Sequence, residues 1–164
     1  MTTELATLTT DRLVLRQPKP EDLEAYLSVI GDDDSEREHR DALAHWRAHG
    51  FGPWIVDDAA TGESVGILEV HYAGPGVTGL EPHEVEIGWT VIEARRGQGL
   101  AGEAARAAID DAWTRARNDH GWIVAYIRPE NDISQRVATR LGLRHEADGL
   151  TRSGHPMQVW RLRA

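Results

Sequence analysis

The chain has 164 residues with 18 basic and 27 acidic side chains, which gives a formal charge of −9. This length predicts one domain, residues 1–164, that buries a full core, and the charge argues against nucleic-acid binding and favours a cationic partner. Because cysteine is absent and Lys19 is the single lysine, we exclude disulfides, thiolate nucleophiles and thiolate metal sites, and disfavour Schiff-base chemistry. No leader or membrane-spanning apolar run is recognisable, so we expect a soluble cytoplasmic protein.

The N-terminal half predicts three strands and two helices. Carboxylates at Glu21 and Asp22 favour the start of a short helix, and the acidic stretch from Asp32 to Glu36 is interpreted as a solvated loop, although the second helix is placed from about Ser35. The strands are expected at 12–16, 51–56 and 64–72, and the helices at 21–30 and 35–48.

The C-terminal half predicts a strand with an unusual alternation. From His83 to Ile92, small and acidic residues such as Glu84, Glu86 and Gly88 alternate with bulky apolar ones. An alanine-rich helix and a strand without alternation follow, which predicts a right-handed parallel crossover. The helices are expected at 99–118 and 131–141, and the strands at 122–127 and 157–162.

A glycine-rich segment separates the alternating strand from the alanine-rich helix. Its sequence from Arg95 to Gly102 reads RRGQGLAG. Glycines allow backbone N–H groups to face one point, and a helix N-terminus adds positive dipole, so the segment is suited to bind a phosphate or diphosphate. A tight turn that only caps the helix is the alternative interpretation.

The same glycines match the dinucleotide fingerprint G-x-G-x-x-G, which would indicate an NAD(P)-dependent oxidoreductase. In that fold the glycines directly follow an apolar strand, and an acidic residue ends the next strand. Here the preceding strand is acidic and the next one ends in Arg128. The dinucleotide interpretation is therefore a remote alternative, and a nucleotide-triphosphate loop is excluded because no G-K-[ST] follows.

These segments resemble the GCN5-related N-acetyltransferase (GNAT) family, whose acetyl-CoA motif is [Q/R]-x-x-G-x-[G/A]. Arg96, Gly99 and Ala101 match that motif. The opening TDRLVLR at 10–16 and the strand segment EIGW at 86–89 resemble the branch of ribosomal-protein N-terminal acetyltransferases, as do Asn131, Ser134 and the later LGL at 141–143. The resemblance covers nearly the whole chain in the family's order.

The resemblance implies a fold and a cofactor site. The expected fold is a single-domain α/β (α+β) GNAT fold, a mixed and mostly antiparallel sheet of six to seven strands that splays at its fourth strand, with helices on both faces. Acetyl-CoA is the implied cosubstrate. Its pantetheine arm would pair with the backbone of Trp89, Thr90 and Val91. The diphosphate would be held by the segment Arg96, Gly97, Gln98, Gly99, Leu100, Ala101 and Gly102.

The resemblance also implies catalytic roles. Glu86 occupies the family's acidic position on the fourth strand and would be the general base, with Glu84 as the reserve. Structural ion pairs are the competing interpretation for both carboxylates. Asn131 would support the cofactor arm, unless it is only a helix N-cap, and Ser134 would lie near the sulfur. Many relatives carry a tyrosine that protonates the leaving thiolate at the position where this chain has Ala138. In this chain, Ser134 or water would supply that proton.

The predicted reaction is direct acetyl transfer to a primary amine, since no cysteine can carry a covalent acetyl group. The acceptor is a protein N-terminus or a small cationic amine, and a non-catalytic acyl-CoA-binding module is the alternative. We expect no metal, because the pair His45 and His49 lacks a third ligand. We also expect no membrane partner, because no apolar run is long enough to span a bilayer. Trp46 and Trp54 are candidates to line the acceptor pocket. Dimers are common in the family, so a homodimer is a further candidate assembly.

Overall fold

The computed structural model describes residues 4–164 and contains one mixed sheet with helices on both faces. Its eight strands are β1 (Thr7–Thr9), β2 (Leu13–Arg16), β3 (Trp54–Asp58), β4 (Ser64–Tyr72), β5 (Val85–Val91), β6 (Trp122–Ile127), β7 (Arg144–Leu150) and β8 (Pro156–Arg163). Its helices are α1 (Leu23–Ile30), α2 (Asp32–His49), α3 (Leu100–Arg115) and α4 (Asp132–Leu141).

The strands lie in the order β1-β2-β3-β4-β5-β6-β8-β7. Every adjacent pair is antiparallel except β5 and β6, which are parallel and joined through α3. The predicted crossover and mixed sheet are therefore confirmed. Because β1 precedes the predicted first strand, the predicted fourth strand is β5.

Two apolar layers hold the helices on the sheet. On one face α1 and α2 pack Tyr26 and Ala42 against Ile55 and Ile67. On the other face the alanines of α3 lie against the larger core, which includes Leu68. Small alanine side chains let α3 lie close to the sheet, which is the packing that its composition predicts.

Two predictions about the elements are wrong. The sheet has eight strands rather than six or seven, since β1 and β7 were not predicted. Asp32–Asp34 form the first turn of α2 rather than a loop. Three carboxylates at a helix N-terminus are stabilised by the macrodipole, so a run that reads as a solvated loop begins a helix instead.

The tryptophan prediction is also corrected. The rings of Trp46 and Trp54 meet edge to face, with centroids 5.0 Å apart, and both side chains are buried in the core. The indole N–H of Trp46 donates to the carbonyl of Pro53 at 2.7 Å. Neither ring lines the cavity beside α2 that could admit an acceptor. Two aromatic rings gain more free energy when they are buried against each other than when they lie at a wet surface.

Candidate active site

The sheet opens between β5 and β6. These strands pair only at Val85 with Ile123 and at Glu86 with Val124, whereas β5 stays paired with β4 along its whole length. From Ile87 onward, β5 therefore has no partner on its β6 side within residues 4–164. Peptide groups along such an open edge can hydrogen-bond an extended ligand.

The glycine-rich segment follows β5 and ends in the N-terminus of α3. Gly97 and Gly99 have φ of +78° and +79°, in the left-handed region that favours glycine. The backbone N–H groups of Gly97, Gln98 and Gly99 find no acceptor in the described chain. The first N–H groups of α3 lie outside the helical ladder as well. The segment therefore offers unpaired donors and a helix dipole to an anion.

Arginines brace this segment from both sides. The Arg12 guanidinium bonds Glu103 at 2.8 Å and the Gln98 carbonyl at 2.9 Å. Arg95 bonds Asp58 at 2.8 Å. Arg96 donates from Nε to the Val91 carbonyl at 3.2 Å. Thus Arg12 and Arg95 hold the loop in shape, and only Arg96 borders the open edge of β5.

A cavity of about 420 Å³ lies on the α2 side of the sheet, and another of about 580 Å³ lies between the glycine-rich segment and α4. We call these the α2 cavity and the α4 cavity. Both volumes fall in the range of small-molecule sites. Arg136 and Arg140, one turn apart on α4, line the α4 cavity and were not predicted. Their i, i+4 spacing on one helix face is the sequence signal that could have found them.

The start of α4 contacts the open edge of β5. The Asn131 side chain accepts from the Ser134 N–H at 3.0 Å and so caps the helix. Ser134 Oγ accepts from the indole N–H of Trp89 at 3.2 Å. Ala138 is completely buried in the core, so this position brings no acid to the cavity. Ser134 is thus the hydroxyl that faces Trp89 at the opening.

Glu86 faces the α2 cavity from β5. Its side chain is 22% exposed, and its Oε2 lies 3.3 Å from Nε2 of His71, its cross-strand partner on β4. Burial raises the pKa of Glu86 above the usual range of a glutamate, while the neighbouring His71 lowers it. A carboxylate with a raised pKa is a stronger base, which suits proton abstraction from an ammonium group.

The hydrogen bonds of His71 define how it meets Glu86. Its Nδ1 lies 3.0 Å from the Tyr72 carbonyl, and because a carbonyl only accepts, Nδ1 carries a proton. Nε2 then faces the Glu86 carboxyl group at 3.3 Å, within ion-pair distance, at the edge of the α2 cavity.

Glu84 lies on the same face of the strand segment but is not brought to either cavity. It is fully buried and binds Arg161, with Nε to Oε1 at 2.7 Å. It also accepts from the Glu81 N–H at 2.6 Å and from the Trp122 indole. These donors lower the pKa of Glu84, although burial opposes them. The arrangement is that of a structural ion pair.

Two further carboxyl groups line the α2 cavity and were not predicted. They belong to Glu69 on β4 and Glu38 on α2, and each perturbs the pKa of the other. Burial, which the nearby His71 opposes and the Glu38 charge reinforces, raises the pKa of Glu69 to about 7. Gly88 is the cross-strand partner of Glu69, and its missing side chain leaves the space beside the pair open.

His45 of α2 is held by two hydrogen bonds within the fold. His45 Nδ1 lies 2.8 Å from the Phe51 carbonyl, and its Nε2 accepts from the Tyr72 N–H at 3.1 Å. Burial lowers the pKa of His45, consistent with a neutral ring that donates from one nitrogen and accepts at the other.

No group of three metal-ligating side chains lies together in residues 4–164. The helices of the described chain include none long and apolar enough to cross a membrane.

Comparison with known proteins identifies the same architecture. A family model described as "Acetyltransferase (GNAT) domain" matches residues 12–144. An acetyltransferase structure from Agrobacterium tumefaciens is 29% identical, covers 100% of this chain and 98% of its own, and has a TM-score of 0.77. A GNAT-family acetyltransferase from Bordetella pertussis is 24% identical, with coverages of 97% and 99% and a TM-score of 0.81.

Ribosomal-protein acetyltransferases are among the structures with this fold. The ribosomal-protein-S5-alanine acetyltransferase from Vibrio fischeri is 14% identical, covers 96% of each chain and has a TM-score of 0.70. At this identity the likeness concerns the fold alone. The branch that the sequence resembles is thus represented among the structural neighbours.

Proposed function

The chain belongs to the GNAT acetyltransferase family, and from this premise we propose that it transfers an acetyl group from acetyl-CoA directly to a primary amine. The acceptor is a protein N-terminus or a small cationic amine. One observation carries the proposal: the open edge of β5 begins directly after Glu86, which lines the α2 cavity, and leads to the unpaired N–H groups that border the α4 cavity. A thioester threaded along that edge would meet the acceptor beside a carboxylate.

The residues of the α4 cavity suit coenzyme A. The unpaired N–H groups from Gly97 to Gly102 and the start of α3 suit a diphosphate. The open edge at Trp89 and Thr90 suits the amides of the pantetheine arm. The Val91 carbonyl already accepts a hydrogen bond from Arg96. Arg96 would therefore have to share this carbonyl with a pantetheine amide or move away from it. When bound, acetyl-CoA supplies an activated acyl carbon and a good leaving group.

The chain's own residues handle the protons. An ammonium acceptor must lose a proton before its nitrogen can form the new C–N bond. Glu86 takes this proton, directly or through a water molecule, and Nε2 of His71 can accept it next. As the C–S bond breaks, the thiolate takes a proton from water or from Ser134, whose hydroxyl lies at the opening. The second proton of the ammonium leaves to solvent.

The test is the kinetics of Glu86→Gln with a panel of primary amines, measured as acetyl-CoA-dependent release of free thiol. We expect kcat to fall by about 10²- to 10⁴-fold, the usual contribution of a general base. Coenzyme A binding, measured by calorimetry, is expected to stay close to wild type, because Glu86 lines the α2 cavity and not the α4 cavity.

Glu36→Gln is the matched control, since Glu36 is exposed on α2 and lines neither cavity. Undiminished turnover in Glu86→Gln would move the base to another residue. Wild-type protein that binds coenzyme A but acetylates no amine in the panel would favour the non-catalytic module instead.

A further inference from the structure

The carboxyl groups of Glu38 and Glu69 in the α2 cavity differ in their partners from other inward-facing carboxylates. Inward-facing carboxylates elsewhere are paired with arginine, as in Glu84 with Arg161 at 2.7 Å and Asp57 with Arg16 at 2.6 Å. Glu38 and Glu69 form no ion pair with any residue in the described part of the chain. Arg37, which also lines the cavity, is bonded to Asp34 at 2.9 Å.

A buried hydroxyl on the α2 side of the sheet also lacks a partner. Tyr26 is completely buried, and its OH is the one buried side-chain polar atom in residues 4–164 without a hydrogen bond. Tyr26 packs in one core cluster with Ala42, which lines the α2 cavity, and besides burial the charges of Glu69 and Glu38 raise the pKa of its hydroxyl. Tyr26 does not line the cavity itself, so its hydroxyl is a polar group of the core behind the cavity that the fold leaves unpaired.

The register of the sheet sets the separation between the two carboxyl positions. Glu69 is opposite Gly88, and Glu86 is opposite His71, so Glu69 and Glu86 are diagonal neighbours on one face. The Cα atoms of diagonal neighbours in an antiparallel pair lie about 7–8 Å apart, and their Cβ atoms lie somewhat closer. Because Gly88 has no side chain, the space between the two carboxyls is open. A short alkyl chain with an ammonium group at each end spans this distance.

We propose that the acceptor is a diamine or polyamine whose second ammonium group binds Glu38 and Glu69 while the reacting amine lies beside Glu86. This inference rests on the proposed function and names its substrate class. The volume of about 420 Å³ matches a small molecule. A charged hydrogen bond formed inside such a cavity is stronger than one at the surface, so the second charge adds to recognition.

The experiment compares 1,4-diaminobutane with butylamine, a monoamine of the same chain length, and with a short peptide that has a free N-terminus. The readout is kcat/KM for thiol release, with mass spectrometry of the product. We expect the wild-type enzyme to prefer the diamine over butylamine by about 10- to 100-fold. Glu69→Gln and Glu38→Gln are expected to reduce that ratio about tenfold, whereas Glu36→Gln leaves it unchanged.

The outcomes separate the two levels of the proposal. Equal kcat/KM for diamine and monoamine, a preference for the peptide, or a ratio unaffected in both variants would overturn the diamine inference and leave acetyl transfer standing. Absence of transfer to every amine would overturn the proposed function itself. The wild-type comparison decides the matter even if a variant fails to fold, and calorimetry with 1,4-diaminobutane provides a second readout.

Discussion

Glu84→Gln is expected to destabilise the fold and to spare the chemistry. Glu84 is fully buried and accepts hydrogen bonds from two nitrogens of Arg161, at 2.7 and 3.2 Å, and from the Glu81 N–H at 2.6 Å. Glutamine keeps the shape of the side chain but removes the charge. It also replaces one acceptor oxygen with an NH₂ group that would face N–H donors.

The magnitude follows from the burial of the partner. The Arg161 side chain is only 11% exposed, and its other carboxylate neighbour, Glu146, lies 4.0 Å away, so its charge loses its principal partner in the variant. Removing one partner of a buried pair costs about 3–5 kcal/mol, and we take the lower end, about 3 kcal/mol, because glutamine retains part of the bonding. In a chain of this size, each kcal/mol shifts Tm by about 2–4 °C, so Tm is expected to fall by about 6–12 °C.

The assay is thermal and urea unfolding together with kcat per folded molecule. The pKa of Glu84 is lowered in the folded state, so its stabilisation is present above the unfolded pKa and is lost as the pH falls through the lower folded value. Glu84→Gln should therefore flatten the acid side of the stability curve. Glu86→Gln is the matched comparison, since it is expected to lose turnover and keep Tm. An unchanged Tm with lost turnover in Glu84→Gln would refute this reasoning and make Glu84 the base.

Three further predictions concern the cofactor site and the base. In Gly102→Ala the new methyl group meets open space, so the free energy of unfolding should rise by roughly 0.5–1 kcal/mol. Calorimetry should show weaker coenzyme A binding, because the methyl group enters the α4 cavity. An unchanged affinity would place the diphosphate elsewhere. Burial raises the pKa of Glu86, so kcat/KM should fall as the pH drops through a value above the usual glutamate range, and this acid limb should be missing from the residual activity of Glu86→Gln. Asn131→Ala should lower the free energy of unfolding in urea by about 1 kcal/mol, because the helix cap is lost, and should raise the KM for acetyl-CoA. Asn131→Asp should restore the stability. An unaltered KM in the alanine variant would show that Asn131 is only a helix cap.

Local patterns were sufficient to predict much of this molecule. The alternation from Glu84 to Val91, the glycines from Gly97 to Gly102 and the alanine spacing of α3 each reflect interactions within a few residues, namely strand pleat, turn conformation and helix period. Such interactions are legible in the sequence because their partners are its neighbours. The parallel crossover followed from these patterns directly, and the splayed sheet followed from the family resemblance that they carry.

Other features depended on partners far apart in the chain. The three residues of β1 form a strand because β2 pairs with them, and the exposed, non-alternating β7 forms one because β8 does. Glu84 and Glu86 have the same residue type and face, yet Arg161, 77 positions away, engages only the first. Likewise Glu38 and Glu69, on α2 and β4, line the same cavity only because the chain folds these two elements onto one side of the sheet.

The contiguous cofactor motif was therefore enough to assign the chain to its reaction family. Long-range packing decided which carboxylate forms a buried ion pair, which one faces the α2 cavity beside His71, and which two line that cavity without an ion pair in residues 4–164. The physical reason is that the charge state and reactivity of a carboxyl depend on burial and on its nearest counter-charge, and both are set by long-range packing.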